Sequence, residues 1–162
     1  MTNFETFLSY FPEIELPVTL TDESIDHISA SNDALPDQLI YEFIKKWDLT
    51  EDDEFTEYVP CFKWANEKYL TIVYWKAGLL KYEYFLVTAT HKGDLINKKS
   101  LCGTIVDGDV IKKSVARIED ENIINIVAGA SFESSEYSGE KSQIFTWEII
   151  DNGEIVLHTL ND

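Results

Sequence analysis

The spacing of apolar residues changes from a helical to a strand-like repeat about one third of the way along the chain. In residues 1–57, apolar side chains recur three and four positions apart in two segments. In residues 58–162, short apolar runs alternate with turns that contain Gly, Asn and Asp. We therefore expect a single domain, 1–162, in which a helical and extended part precedes an antiparallel β-meander.

Two N-terminal segments have the pattern of amphipathic helices. The first begins at Thr2, whose spacing to Glu5 is that of a capping box, and its apolar face contains Phe4, Phe7, Leu8 and Phe11. The second covers roughly residues 37–47, and its apolar face contains Ile40, Phe43, Ile44 and Trp47. Each face needs a partner that excludes water, so we expect both helices to pack on the sheet.

Residues 69–88 predict a β-hairpin at the centre of the sheet. Two aromatic-rich apolar runs flank a short turn at residues 76–79. In the first run, one face contains Leu70, Ile72 and Tyr74, and the other contains Tyr69, Val73 and Trp75. Because both faces are apolar, we expect both to be covered, as in a central strand of a layered or closed sheet. We expect the aromatic side chains to pack in the core rather than line a ligand groove.

The other apolar runs predict strands at residues 58–65, 101–106, 110–118, 123–129, 143–150 and 154–159. Turn sequences at Asp107-Gly108 and Asp151-Asn152-Gly153 join four of them into hairpins, and residues 133–140 form a polar loop. The predicted fold class is α+β, mainly β. N-terminal helices pack on a seven- or eight-stranded antiparallel meander that is strongly curved or barrel-like.

Several short motifs are arranged as in a group of small uncharacterised bacterial proteins. The motifs are Phe7-Leu8, Phe11-Pro12, Leu16-Pro17, and the stretch Thr-His-Lys-Gly-Asp-Leu-Ile at residues 90–96. The chain resembles that group, whose members share an FP…LP start and a C-terminal antiparallel β region, and the resemblance implies no catalytic residue. Leu35-Pro36 and Phe43-Ile44 are also similar to SMI1/KNR4-type immunity proteins, although Trp47-Asp48-Leu49 stands where those proteins usually continue with a glycine.

The strongly negative net charge of the chain indicates which classes of molecule it can bind. The sequence has 30 acidic and 13 basic residues, a net charge of −17, and residues 1–60 alone carry −13. Such a field repels nucleic acid and anionic membranes and attracts basic proteins. An acidic connector lies between the predicted helices and the meander. It supplies six candidate partner-binding residues: Asp48, Glu51, Asp52, Asp53, Glu54 and Glu57.

Residues with the chemistry for catalysis or metal binding are scattered along the sequence. His27, His91 and His158 are far apart, and Cys61 and Cys102 each lie in an apolar run, as reduced core thiols do. The acidic connector lacks the glycine and the glutamate that an EF-hand loop requires. We therefore expect no catalytic residue, cofactor or metal site. The sequence shows neither a signal peptide nor a run of membrane-spanning length, so we expect a cytoplasmic protein.

Three hypotheses describe the function. The one we favour is a non-enzymatic acidic module that binds a basic protein, as an immunity-type inhibitor binds a basic toxin. The second is a small-molecule binder or an unrecognised hydrolase with a pocket between the helices and the sheet. The third is a structural subunit that pairs through a sheet edge. No motif indicates an oligomeric state.

Overall fold

The computed structural model describes residues 1–132 and 142–159. In this part of the chain, short helices precede a large β-sheet. The strands are β1 (Val18–Leu20), β2 (Glu57–Ala65), β3 (Leu70–Ala77), β4 (Lys81–Ala89), β5 (Leu95–Asp107), β6 (Val110–Ile118), β7 (Ile123–Phe132), β8 (Gln143–Ile149) and β9 (Ile155–Thr159). The helices are α1 (Asn3–Leu8), α2 (Ser24–Ser31), α3 (Asp37–Leu39), a π-helical turn (Ile40–Ile44) and α4 (Lys45–Trp47).

Eight strands, β2 to β9, form one antiparallel sheet in sequence order. Each strand pairs with its neighbour along the chain, so that Tyr74 of β3, for example, lies opposite Phe85 of β4. The sheet is curved but not closed, since in the described residues its end strands β2 and β9 do not pair with each other. The predicted α+β, mainly β class and its curved meander are confirmed. The short strand β1 is an addition to the predicted set.

The β-sheet divides where β5 separates from β6. Although β5 has 13 residues, only its last four pair with β6. The strand β1 pairs with the part of β6 that β5 does not reach, and Leu20 lies opposite Ala116. At the point of separation, the N–H of Gly103 donates to the hydroxyl of Ser114 at 3.0 Å. A side chain at Gly103 would collide with the carbonyl oxygen of Tyr82, so glycine permits the close approach of β4 and β5.

Two apolar cores lie on opposite faces of the β3–β4 hairpin. The inner core, within the curved sheet, includes Tyr69, Val73, Trp75, Tyr84 and Leu86. The outer core, between the hairpin and the N-terminal helices, includes Phe7, Ile44, Leu70, Ile72, Tyr74 and Val87. The two sets of β3 side chains that alternate in the sequence therefore lie in different cores, as predicted. The prediction that both faces of the hairpin are covered is therefore confirmed.

The first helix forms as its sequence predicts. Thr2 caps α1, and its hydroxyl accepts a hydrogen bond from the N–H of Glu5 at 3.1 Å. The side chains of Phe4, Phe7 and Phe11 are buried. They fill the outer core, so the helix is held by its apolar face as well as by its cap.

The predicted helix at residues 37–47 contains a π-helical turn, Ile40–Ile44, between α3 and α4. A π-helical turn is wider than an α-helical one, so it changes the direction in which neighbouring side chains point. Of the predicted apolar face, Ile44 and Trp47 are buried, whereas Ile40 and Phe43 are half-buried. Leu39, outside the predicted face, is buried instead. The apolar face is therefore shifted by one position at its N-terminal end.

Several predicted boundaries differ from the structure. The strand β5 begins at Leu95 rather than at residue 101. The prediction began too late because residues 97–100 are polar and interrupt the apolar pattern of a strand. Asp107 pairs with Val110, so the tight turn is Gly108-Asp109 rather than Asp107-Gly108. The β3–β4 turn covers residues 78–80, not 76–79. The predicted loop at residues 133–140 lies outside the described residues.

Replacing Ile72 by Ala should lower the free energy of unfolding by about 2–5 kcal/mol, because the buried side chain leaves a cavity in the outer core. Urea denaturation measures this loss. The matched control is Ile144→Ala in β8, where the side chain is 56% exposed, and we expect a loss below about 1 kcal/mol there. Equal losses in the two variants would contradict the burial of this hairpin face.

Candidate functional site

The acidic connector, residues 48–57, leads from α4 into the first residue of β2. All six candidate partner-binding residues lie on it. It contacts β3, the β3–β4 turn and β5 through Lys76, Leu79 and Lys98. The connector therefore covers the part of the hairpin that the helices leave uncovered.

The carboxylate of Asp48 is buried and docks the connector on the sheet. Its Oδ2 accepts a hydrogen bond from Nζ of Lys76 at 2.7 Å. Its Oδ1 accepts from the hydroxyl and the N–H of Thr50 at 2.6 and 3.0 Å, and Nζ of Lys98 lies 3.7 Å from the same oxygen. Only 2% of the Asp48 side chain is exposed. One carboxylate thus links the connector to both β3 and β5.

These contacts determine the ionisation of Asp48. Burial alone raises its pKa, but the hydrogen bonds from Lys76 and Thr50 and the charge of Lys98 outweigh that effect. They hold the pKa of Asp48 well below its ordinary value of 3.8. The side chain is therefore a fixed negative charge at neutral pH.

Asp52 forms a second set of contacts on the helical side of the connector. Its Oδ1 accepts hydrogen bonds from Nζ of Lys45 at 2.8 Å and from the hydroxyl of Tyr58 at 2.6 Å. Burial opposes ionisation, but these two donors outweigh it and lower the pKa of Asp52. Burial and the hydrogen bond to Asp52 raise the pKa of Tyr58. Nζ of Lys45 also donates to the carbonyl of Thr50 at 2.8 Å, which ties α4 to the connector.

Asp53 holds the connector against the tip of the β3–β4 hairpin. Its Oδ2 accepts from the N–H of Leu79 at 3.1 Å, and its Oδ1 accepts from the N–H of Phe55 at 2.7 Å. A Cβ at Gly78 would lie 3.0 Å from Oδ2 of Asp53, so the glycine leaves room for this contact. Two backbone N–H groups from separate segments thus meet at one carboxylate, which places Phe55 and Leu79 close together.

The other three acidic candidates, Glu51, Glu54 and Glu57, are exposed. In the described residues, the structure gives their carboxylates no hydrogen bond or ion pair. Large apolar side chains that are 55–87% exposed lie on the connector and on the β3–β4 turn that it contacts: Leu49, Phe55, Leu79 and Leu80. We call these seven residues the connector face.

A cleft of about 340 Å³ lies between the connector and the ends of β3, β4 and β5. We call it the connector cleft. Its lining includes Lys76, Glu83, Phe85 and Lys98, with Asp48 from the connector. Nζ of Lys98 lies 4.5 Å from the centre of the Phe85 ring. The cleft thus combines one aromatic wall with buried charges of both signs.

A second cleft, of about 460 Å³, lies between the helix at residues 37–47 and β2. This is where the small-molecule hypothesis places its pocket. Its lining includes Tyr41, Lys45, Asp52 and Tyr58. The last three hydrogen-bond to one another, so their polar atoms already have partners within the chain.

The histidines and cysteines lie outside both clefts. His27, His91 and His158 are exposed, and Cys61 and Cys102 are buried in the inner core. Burial raises the pKa of Cys102 to about 12 and also raises the pKa of Cys61. Within residues 1–132 and 142–159, no group of three His, Cys, Asp or Glu side chains is placed to hold a metal ion. No helix in the same residues is long and apolar enough to cross a membrane.

Comparison with protein-family models, curated proteins and solved structures gives no match for this chain. The resemblance to small bacterial proteins with an FP…LP start therefore stays a prediction. We infer the function from the geometry of the connector and its contacts.

The sequence prediction identified the connector but not the lysines that bind it. Lys76 and Lys98 lie on separate strands, 28 and 50 residues beyond Asp48, and nothing local marks them as its partners. A local signal did exist for the acidic residues. Asp48 and Asp53 each accept a hydrogen bond from an N–H two residues on, a turn that aspartate forms readily because its side chain is short.

Replacing Asp48 by Asn should lower the free energy of unfolding by about 3–5 kcal/mol, because the mostly buried ammonium groups of Lys76 and Lys98 lose their nearest counter-charge. Urea denaturation at neutral pH measures the loss. The control is Glu54→Gln at an exposed position of the same segment, for which we expect a change below about 0.5 kcal/mol. An Asp48→Asn variant as stable as the control would contradict the docking role of this carboxylate.

The lowered pKa of Asp48 predicts how the free energy of unfolding depends on pH. Its pKa is lower in the folded protein than its ordinary value of 3.8, so the unfolded chain binds more protons and the free energy of unfolding falls as the pH falls. The contribution is complete above the ordinary pKa and is lost as the pH falls toward the folded pKa. Between about pH 5 and pH 2, the wild type should lose more stability than Asp48→Asn. Parallel curves for the two proteins would rule out this contribution.

Proposed function

We propose that this chain is a cytoplasmic, non-enzymatic binding module that holds a basic protein on its connector face. The observation that carries the proposal is the combination of exposed carboxylates and exposed large apolar side chains on the anchored connector and the β3–β4 turn that it contacts. A basic protein with an apolar patch has the complementary chemistry. The basic toxin that an immunity-type inhibitor neutralises is a partner of this kind.

The division of the six acidic residues into two sets supports the proposal. Asp48, Asp52 and Asp53 hold the connector on the sheet through lysine, tyrosine and backbone donors. Glu51 and Glu54, like Glu57, are exposed and have no such partner in the described residues. A segment that is already held in place loses less conformational freedom when it binds. The exposed carboxylates are therefore available to a partner at a low entropic cost.

The apolar members of the connector face favour a protein partner over a small cation. Phe55 and Leu79 are more than half exposed, and both are held near Asp53 by their backbone N–H groups. Exposed apolar side chains surrounded by polar ones are typical of protein interfaces. Such side chains provide the short-range contacts that slow dissociation, whereas the carboxylates act at longer range during association.

The net charge of the chain also attracts a basic protein at distances longer than direct contact. The chain carries a net charge of −17, and the N-terminal 60 residues that contain the connector carry −13. A field of this sign steers a basic protein toward the connector face and repels nucleic acid. Added salt screens such steering, so the association should be sensitive to ionic strength.

Replacing Glu51, Glu54 and Glu57 together by Gln should slow association with a basic partner by about tenfold, because the local attraction is lost. The partner is captured from a cell extract at low ionic strength on the immobilised protein and identified by mass spectrometry. Its association rate constant is then measured by surface plasmon resonance at low and high salt. The triple variant should also show a weaker salt dependence than the wild type.

The matched control replaces Glu15, Glu67 and Glu121 by Gln, which removes the same number of charges at exposed positions outside the connector. This control should keep most of the wild-type association rate. If both triple variants slow association equally, net charge rather than the connector face attracts the partner. Failure to capture any basic protein at low salt would contradict the proposed function itself.

A further inference from the structure

The amine of Lys98 differs from that of Lys76, its neighbour in the connector cleft. Nζ of Lys76 lies 2.7 Å from Asp48, 2.8 Å from the hydroxyl of Thr50 and 3.8 Å from Asp52. Among the described residues, Nζ of Lys98 has a 3.7 Å contact with Asp48 and the face of the Phe85 ring. Lys98 thus keeps N–H groups that no carboxylate or hydroxyl of the described residues occupies.

The connector cleft gives a small molecule access to this amine. Lys98 lines the cleft of about 340 Å³, and 19% of its side chain is exposed. The ring of Phe85 covers one side of Nζ at 4.5 Å. An incoming molecule therefore reaches the amine from the cleft, beside the ring of Phe85.

The groups around Lys98 act on its protonation in opposite directions. Burial lowers its pKa, and so does the nearby charge of Lys76 on β3. Asp48 from the connector and Glu83 on β4 raise it. The net result is a pKa below the ordinary value of 10.5. At a given pH, a larger fraction of Lys98 is therefore neutral and nucleophilic than for a fully solvated lysine.

We infer that the connector cleft is a binding site for small aldehydes, in which Nζ of Lys98 condenses with the carbonyl carbon. The nitrogen lone pair forms the C–N bond, and one N–H proton passes to the carbonyl oxygen to give a carbinolamine. The C–O bond then breaks, and the hydroxyl group leaves with the second N–H proton as one molecule of water. A C=N imine remains on Lys98, and no oxidant or reductant is consumed.

A neighbouring carboxylate favours this condensation. The carboxylate of Asp48, ionised at neutral pH and 3.7 Å from Nζ, stabilises the protonated imine by its negative charge. The cleft shares Glu51 with the connector face, and the condensation at Lys98 requires no protein partner.

The test treats the intact chain with propanal and sodium cyanoborohydride at neutral pH, which reduces any imine to a stable propylated lysine. Peptide mass spectrometry then measures the label at each lysine. Lys99 is the matched control, since it is adjacent on β5 and also half-buried, with Nζ 5.3 Å from the Trp147 ring. We expect at least about fivefold more label at Lys98 than at Lys99.

The same labelling in urea separates an effect of the fold from an effect of local sequence. The Lys98:Lys99 ratio should fall to about one when the chain is unfolded, because the cleft no longer exists. Equal labelling of the two lysines in the folded chain, or a ratio that urea does not change, would overturn the inference.

Discussion

Burial of both faces of the β3–β4 hairpin is the constraint that the rest of this structure satisfies. A two-stranded hairpin is at best marginally stable in water, and one that is apolar on both sides needs a layer on each. On the inner face, the rings of Trp75 and Tyr84 lie 4.7 Å apart and pack within the curved sheet. On the outer face, the rings of Tyr74 and Phe85 lie 5.4 Å apart, next to the helices. The curvature of the sheet and the helical layer both meet this requirement.

The acidic connector covers the end of the same hairpin where charged side chains replace apolar ones. Along the outer face of β3, the side chains change from apolar Ile72 and Tyr74 to charged Lys76, where an apolar helix could no longer pack. Asp48 covers that region instead, and its burial is tolerated because two lysines and Thr50 compensate its charge. A charged contact of this kind has strict geometric requirements, so it fixes where the connector lies. The same contact thereby positions both the connector face and the connector cleft.

Local sequence patterns predicted most of the fold, but they did not predict which distant segments contact each other. Alternation along β3 assigned Ile72 and Val73 to opposite cores correctly, and the spacing of Thr2 and Glu5 predicted the cap of α1. The strand β1 was missed because its three residues come after a proline and show only an extended pattern. Its pairing with β6 depends on where β5 separates from that strand. The candidate site was likewise located by its acidity, but its separation into anchoring aspartates and glutamates without a partner in the described residues depends on donors from α4, the β3–β4 turn and other strands.

The position of β1 constrains the order in which the protein can be completed. Leu20 pairs with Ala116, so β1 finds its hydrogen-bonding partner only after the five strands β2 to β6 have been synthesised. Contacts between such distant residues slow folding, because a long loop must close before they form. The strand β1 is therefore expected to remain unpaired until β6 has been synthesised. Until it docks, the adjacent stretch of β6 presents unpaired backbone groups, a recognised starting point for association between incomplete chains.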